Sequence, residues 1–259
     1  MSEKASSKGS NISLEVPKGS MFLYQKPELL TVEEHGALGF VTPSNPYGFA
    51  KKATTIPLVA SEIASAQKHY PVIFSNPENA TPHAIVSVLK DENMFVDKTG
   101  NWVDMHYIPS YVRRHPFAIA SGDNDQLAVV IDRSSVTISE KPDHPFFNEG
   151  ALTEQTQLMV DFCGQFEAER RRTIEFCKRL KELELLKLQE VNVGQGDSEK
   201  QLASYYAVDV KKLEALEPDT LTELHKNGYL SFIFAHLFSL ENWPRLLDRR
   251  QLMLTANQA

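Results

Sequence analysis

The chain reads as an α+β protein, with a mainly antiparallel sheet in the N-terminal half packed with a long helix and a C-terminal helical cap. Three observations predict this. Short β-branched runs bounded by turn residues recur between Thr54 and Asp132. From Thr153 to Leu180 the apolar period shifts to three and four residues, through Met159, Cys163, Phe166, Thr173, Cys177 and Leu180. Beyond Val208, capping residues and Gly228 divide the sequence into helical segments.

In chain order, residues 1–20 are rich in Ser, Lys and Gly and read as a disordered tail, because so polar a stretch buries too little apolar surface to offset its ordering entropy. Residues 21–259 are expected to form a single domain; a boundary near Gly150 is the alternative. Met21 to Tyr47, with Pro27, Pro43 and Pro46, reads as an extended arm anchored by Met21-Phe22-Leu23-Tyr24. Thr54 to Val59 is a short strand or lead-in, interrupted by Pro57. Ser61 caps a helix to Lys68, which must end by Tyr70 because Pro71 forces its predecessor toward extended backbone.

Val72 to Ser75 and His83 to Leu89 are expected strands. Met94 to Val96 and Trp102 to Val103 flank the turn-rich Asp97-Lys98-Thr99-Gly100-Asn101 as a hairpin. Phe117 to Ala120 and Leu127 to Asp132 do the same around Ser121-Gly122-Asp123-Asn124-Asp125. In the long helix, Arg170, Arg171 and Arg172 sit among glutamates and read as a solvated face laced by ion pairs. Glu184 to Val193 and Leu202 to Val208 form a second strand pair around a Gly194-to-Lys200 loop, and this pair is expected to return to the first sheet. Asp209 and Asp219 cap short helices, Gly228 closes the second, and Tyr229 to Leu247 is a final helix broken or kinked at Pro244.

Composition narrows the function. The formal net charge of −7 argues against a general nucleic-acid binder, which needs a basic face for phosphates, but leaves room for a local basic pocket. Cys163 and Cys177, the two cysteines, fall on one helix about 21 Å apart, beyond disulfide reach, which suits a reducing compartment. No signal-peptide apolar region stands near the start. The apolar run from Tyr229 to Leu240 is too short to span a bilayer, so a cytoplasmic protein without a membrane span is expected.

Arg113 and Arg114 are the first candidate ligand residues. Guanidinium forks clamp carboxylate or phosphate, and Tyr107 and Tyr111 offer hydroxyls and stacking faces nearby. The competing structural reading pairs one arginine with a carboxylate and leaves the other exposed. His69 and Tyr70 come second, His69 as a group titrating near neutrality; structurally, His69 finishes a helix and Tyr70 packs on the sheet. Asp104 and His106, two apart on a strand, form with His83 a two-histidine, one-carboxylate iron alternative, although the order of acid and histidine is reversed from the usual motif. His236, in an apolar helix, reads as a hydrogen-bonded core histidine. With no Gly-rich phosphate loop, nucleophile elbow or aspartate dyad, no cofactor is expected and no catalytic residue is assigned.

His69-Tyr70-Pro71-Val72-Ile73-Phe74, Tyr107-Ile108-Pro109 through Arg113-Arg114-His115-Pro116-Phe117, Tyr206-Ala207-Val208-Asp209-Val210-Lys211-Lys212-Leu213, and Leu224-His225-Lys226-Asn227-Gly228-Tyr229-Leu230 through Ser239-Leu240 together resemble the bacterial SapC family. The resemblance runs from about Met21 onward. It implies an association with surface-layer protein export beside a type I secretion apparatus, with no defined activity and no catalytic residue to carry over. A membrane subunit of a peptide transporter shares the name; the lack of a span here separates the two. The expected function is an accessory protein binding a peptide or protein partner, against the alternatives of an enzyme acting on a peptide or small acid, with or without iron, and of a homo-oligomer held by the C-terminal apolar helix.

Overall fold

The computed structural model describes residues 21–121, 127–193 and 200–256. The expected tail at 1–20 and the loop residues 122–126 and 194–199 lie outside them. Thirteen strands and eight α-helices are described, and every strand pairing is antiparallel.

The main sheet has five strands in the order β12 (Leu186–Val193), β13 (Lys200–Val208), β4 (Val72–Phe74), β5 (Pro82–Ile85) and β3 (Thr55–Pro57). The C-terminal hairpin returns to the first strands, as expected, through the pairing of Tyr206 with Phe74. β5 ends at Ile85, earlier than the apolar run to Leu89 suggested. The first half does not make one sheet. β6 (Phe117–Ser121) and β7 (Leu127–Asp132) pair as predicted, yet they form a separate sheet with β1 (Pro27–Leu29). β2 (Gly39–Phe40) lies between β8 (Ile138–Ser139) and β9 (His144–Pro145), and β10 (Phe147–Asn148) pairs with β11 (Ala151–Leu152). The expected Met94–Val103 hairpin reduces to one bridge between Val96 and Trp102.

The predicted arm is therefore not merely extended: it supplies β1, β2 and the single-turn α1 (Val32–His35). Thr31 starts that turn by accepting the Glu34 N–H, a short-range cap among the prolines that the sequence reading missed. The anchor does hold. Tyr24 is buried and donates to the Phe117 carbonyl at 2.6 Å, while Tyr111 donates to the Phe22 carbonyl at 2.8 Å.

The helix expected at Ser61–Lys68 is shorter. A 3-10 turn at Ala60–Glu62 leads into α2 (Ile63–Ala66), and Glu62, not Ser61, satisfies the start by accepting the Val59 N–H. α4 (Glu154–Glu182) is capped by Thr153 and runs 29 residues, about 43 Å at 1.5 Å per residue. Its charged face behaves as predicted at two of the three arginines: Arg170 and Arg171 both pair with Glu167, whereas Arg172 lies 5.4 Å from the Phe232 ring and, among the described residues, forms no ion pair. Cys163 and Cys177 are buried free thiols, pushed up to about 11 and about 12 by burial, so neither is a thiolate at neutral pH.

Asp209 caps α5 (Val210–Glu214) as predicted. Asp219 does not cap α6 (Pro218–Lys226). Glu217 holds the cap position and Pro218 the first helical one, where its missing N–H costs nothing. Gly228, at φ +75°, follows the Asn227 C-cap in left-handed backbone, then leads directly into α7 (Tyr229–Ser239). A 3-10 turn at Leu240–Asn242 separates α7 from α8 (Trp243–Ala256), so the final helix breaks before Pro244, which falls in the first turn of α8. α7 packs on the main sheet through His236. This fully buried ring accepts the Val208 N–H at Nε2 (3.1 Å) and donates from Nδ1 to the Val72 carbonyl (2.9 Å).

Candidate functional site

The single turn α3 (Ser110–Arg113), with Arg114 as its C-cap, decides what the paired arginines can do. Consecutive helical residues diverge by about 100°, so the two guanidinium groups cannot close on one anion. Arg113 stays outside. It donates to the Ile108 carbonyl at 3.0 Å and to Ser110 Oγ at 2.7 Å, and lies 5.8 Å from the Tyr107 ring.

Arg114 goes inside and is only 6% exposed. Its guanidinium lies 4.1 Å from the Tyr111 ring, 4.5 Å from Phe166 and 5.7 Å from Tyr24. Its Nε is buried without a hydrogen-bond partner, and among the described residues it forms no ion pair. Three aromatic faces offset part of the desolvation of this charge, yet a buried cation without an anion is costly. Burial pushes the Tyr111 and Tyr24 hydroxyls up while the Arg114 charge pulls the other way, and both stay protonated.

Arg114 lines a cleft of about 210 Å³. One wall is apolar, from Pro57, Leu58, Val59, Phe166 and Ile174; the polar groups are Arg114, Tyr111, His83, Thr81, Thr173 and Arg170. Arg170 is already engaged by Glu167 through two hydrogen bonds of 2.7 and 2.8 Å. His83 is pushed down to about 4 by burial, with Nδ1 donating to the Thr81 carbonyl at 3.0 Å. It is a neutral ring at pH 7. The cleft thus combines an apolar wall, hydroxyl groups and one uncompensated cation.

Tyr107 belongs to the scaffold of this site. Its hydroxyl donates to Glu62 Oε1 at 2.7 Å; the Ser110 N–H donates to the same oxygen at 2.6 Å. Burial and the adjacent Glu62 carboxylate raise the Tyr107 hydroxyl to about 12. Tyr70 is fully buried, donating to the Tyr107 carbonyl at 2.5 Å and accepting from Trp102 Nε1 at 3.0 Å. Of the six predicted ligand residues, Arg114 and Tyr111 meet in the cleft. Tyr107 and Arg113 brace its α3 edge, Tyr70 packs in the core, and His69 lies elsewhere.

His69 lines a second cleft with His106, the two rings 5.2 Å apart. His83 faces the Arg114 cleft instead, so the iron alternative loses its geometry: the three residues do not converge. Among the described residues no group of three His, Cys, Asp or Glu side chains is placed to hold a metal ion. The sequence reading also missed Phe166 and Tyr24 beside Arg114. Phe166 was visible as part of the apolar stripe of α4, but nothing local shows that this stripe covers a cation.

Among the described residues no helix is long and apolar enough to cross a membrane. A family model described as SapC matches residues 30–246, which take in the main sheet, α4, the Arg114 cleft and all of the second cleft's lining but Arg249. No curated protein and no solved structure matches the chain.

Proposed function

The chain belongs to the SapC family, and from that premise we propose that it is a cytoplasmic accessory protein that binds a peptide segment of a partner, capturing a carboxylate on Arg114, in a secretion or surface-layer pathway. The observation that carries the reading is the buried Arg114 guanidinium, without an ion pair, at the edge of an apolar cleft. A carboxylate supplies the missing charge, and Tyr111 lines the cleft beside it. The wall of Leu58, Val59, Phe166 and Ile174 suits an aliphatic side chain next to that carboxylate, the chemistry of a peptide C-terminus. The pathway rests on the family resemblance alone.

The rival enzyme reading needs a base or nucleophile beside the bound carboxylate. His83 is the titratable ring in the cleft, and its Nδ1 is committed to the Thr81 carbonyl. Among the described residues no second side chain of the cleft is hydrogen-bonded to that ring.

The test is calorimetric titration with N-acetyl-Ala-Leu-Leu as the free acid and as its C-terminal amide. The free acid is expected to bind at least tenfold tighter, about 1.4 kcal/mol. Arg114→Gln should abolish that preference, because removing one member of a desolvated charge pair is expensive. Arg113→Ala should keep it. Equal binding of acid and amide by the wild type, which requires no variant to fold, would sink the proposal; turnover of the peptide would favour the enzyme.

A further inference from the structure

The second cleft has a different chemistry from the Arg114 site and does not depend on it. Its volume is about 240 Å³, and its walls come from the residues just after α2, the loops around Phe95 and His106, and the 3-10 turn and first turns of α8. The polar lining is Lys68, His69, His106, Asn242, Arg245 and Arg249, without a single carboxylate. Three permanent positive charges and two imidazoles converge there, in a chain whose formal net charge is −7. Among the described residues, none of Lys68, Arg245 and Arg249 forms an ion pair.

Two of the three cations, Arg249 and Arg245, also have fixed partners. Arg249 lies 4.6 Å from the Phe95 ring, and its Nε donates to the Met94 carbonyl at 2.7 Å. That leaves the remaining N–H groups of its five-donor fork unassigned. Asn242 is buried and fixed, its amide donating to the carbonyls of Gln67, Tyr70 and Ser239 at 2.7, 3.2 and 3.0 Å. Its oxygen faces Arg245 Nη1 at 3.4 Å. His106 Nδ1 donates to the Asp104 carbonyl at 2.9 Å, which fixes that ring beside His69.

We propose that this cleft binds a small phosphorylated or pyrophosphorylated molecule. Donors approach from three elements, which matches the many-sided acceptor surface of a phosphoryl group; a planar carboxylate is satisfied by one guanidinium fork. Like charges held together without a counter-anion repel one another, and a multiply charged anion relieves that repulsion at several groups at once. Phe95 and Leu246, both buried, form the apolar floor beneath these charges.

Inorganic pyrophosphate is the probe, titrated calorimetrically into the full chain at fixed ionic strength. Saturable one-to-one binding is expected, weakened at least tenfold by Arg245→Gln and by Lys68→Gln. Both residues are exposed, so these variants keep the fold. Lys187→Gln, the same charge change at an exposed position of β12, should leave the affinity unchanged, as should Arg114→Gln, which separates this site from the peptide cleft. Failure of the wild type to bind pyrophosphate at millimolar concentration would overturn the proposal. Equal weakening by Lys187→Gln would also overturn it, by showing general charge attraction. Affinity that rises with the length of a single-stranded oligonucleotide, with pyrophosphate inert, would replace it with a nucleic-acid surface.

Discussion

His236→Ala is expected to lower the free energy of unfolding by roughly 3–5 kcal/mol, the sum of two stranded buried hydrogen-bonding groups and the cavity left by the ring. The Val208 N–H and the Val72 carbonyl both end on this imidazole. They lie on β13 and β4, the strands joined by the pairing of Tyr206 with Phe74. One ring thus fastens α7 to the seam between the early strands and the C-terminal hairpin. Urea denaturation measures the effect; a loss under about 1 kcal/mol would show that water or a local shift satisfies both groups.

The same histidine governs acid stability. Burial pushes His236, like His83, down to about 4 from an ordinary value of 6.5. His115 is shifted the same way by burial, against the pull of Asp132. Between pH 6.5 and 4 the unfolded chain binds more protons than the folded one, so stability falls as the pH falls. Each of the two strongly shifted rings contributes about 3 kcal/mol that is present above pH 6.5 and lost by about pH 4. Unfolding curves at pH 7 and pH 5 should therefore separate for the wild type and separate less for His236→Ala. Identical separations would remove His236 from the acid transition.

The sequence made His236 legible as a core histidine because an isolated polar group on an apolar helix must be satisfied locally. It also made legible the long helix, the C-terminal hairpin and the strand pair at Phe117–Asp132, where periodicity runs over many residues. It failed where two or three residues decide the matter. Thr31 starts a helical turn inside a proline-rich arm, and Glu62 replaces Ser61 as the satisfied cap. The Arg113-Arg114 pair looked like one clamp because adjacency in sequence was taken for adjacency in space. A single helical turn sends one outward and the other under Tyr24, Tyr111 and Phe166. The second cleft draws on Lys68, His106 and Arg249, which are far apart in sequence. The sequence singles out His69 and His106, but for different roles, and the one-turn spacing of Arg245 and Arg249 says nothing of what faces them.

Glu62→Ala is the second large effect, expected to cost about 3 kcal/mol and to reach the peptide cleft as well. Glu62 is buried, and its carboxylate receives the Tyr107 hydroxyl (2.7 Å), the Ser110 N–H (2.6 Å) and the Val59 N–H (3.1 Å). Truncation strands three donors, each costing on the order of 1 kcal/mol or more when left dry. Two of these donors position the cleft directly: Ser110 begins the turn that ends in Arg114, and Val59 forms part of the apolar wall. Free-acid peptide binding should therefore weaken in a folded Glu62→Ala protein, although Glu62 itself does not line the cleft. Glu62→Gln should fall between, because its amide retains one acceptor oxygen and turns an N–H toward another donor. Arg113→Ala, which removes exposed bonds from the same turn, should cost under about 1 kcal/mol. A Glu62→Ala protein with wild-type stability and undiminished peptide affinity would mean that α3 holds Arg114 in place without this carboxylate. The buried cation would then owe its position to the aromatic rings around it.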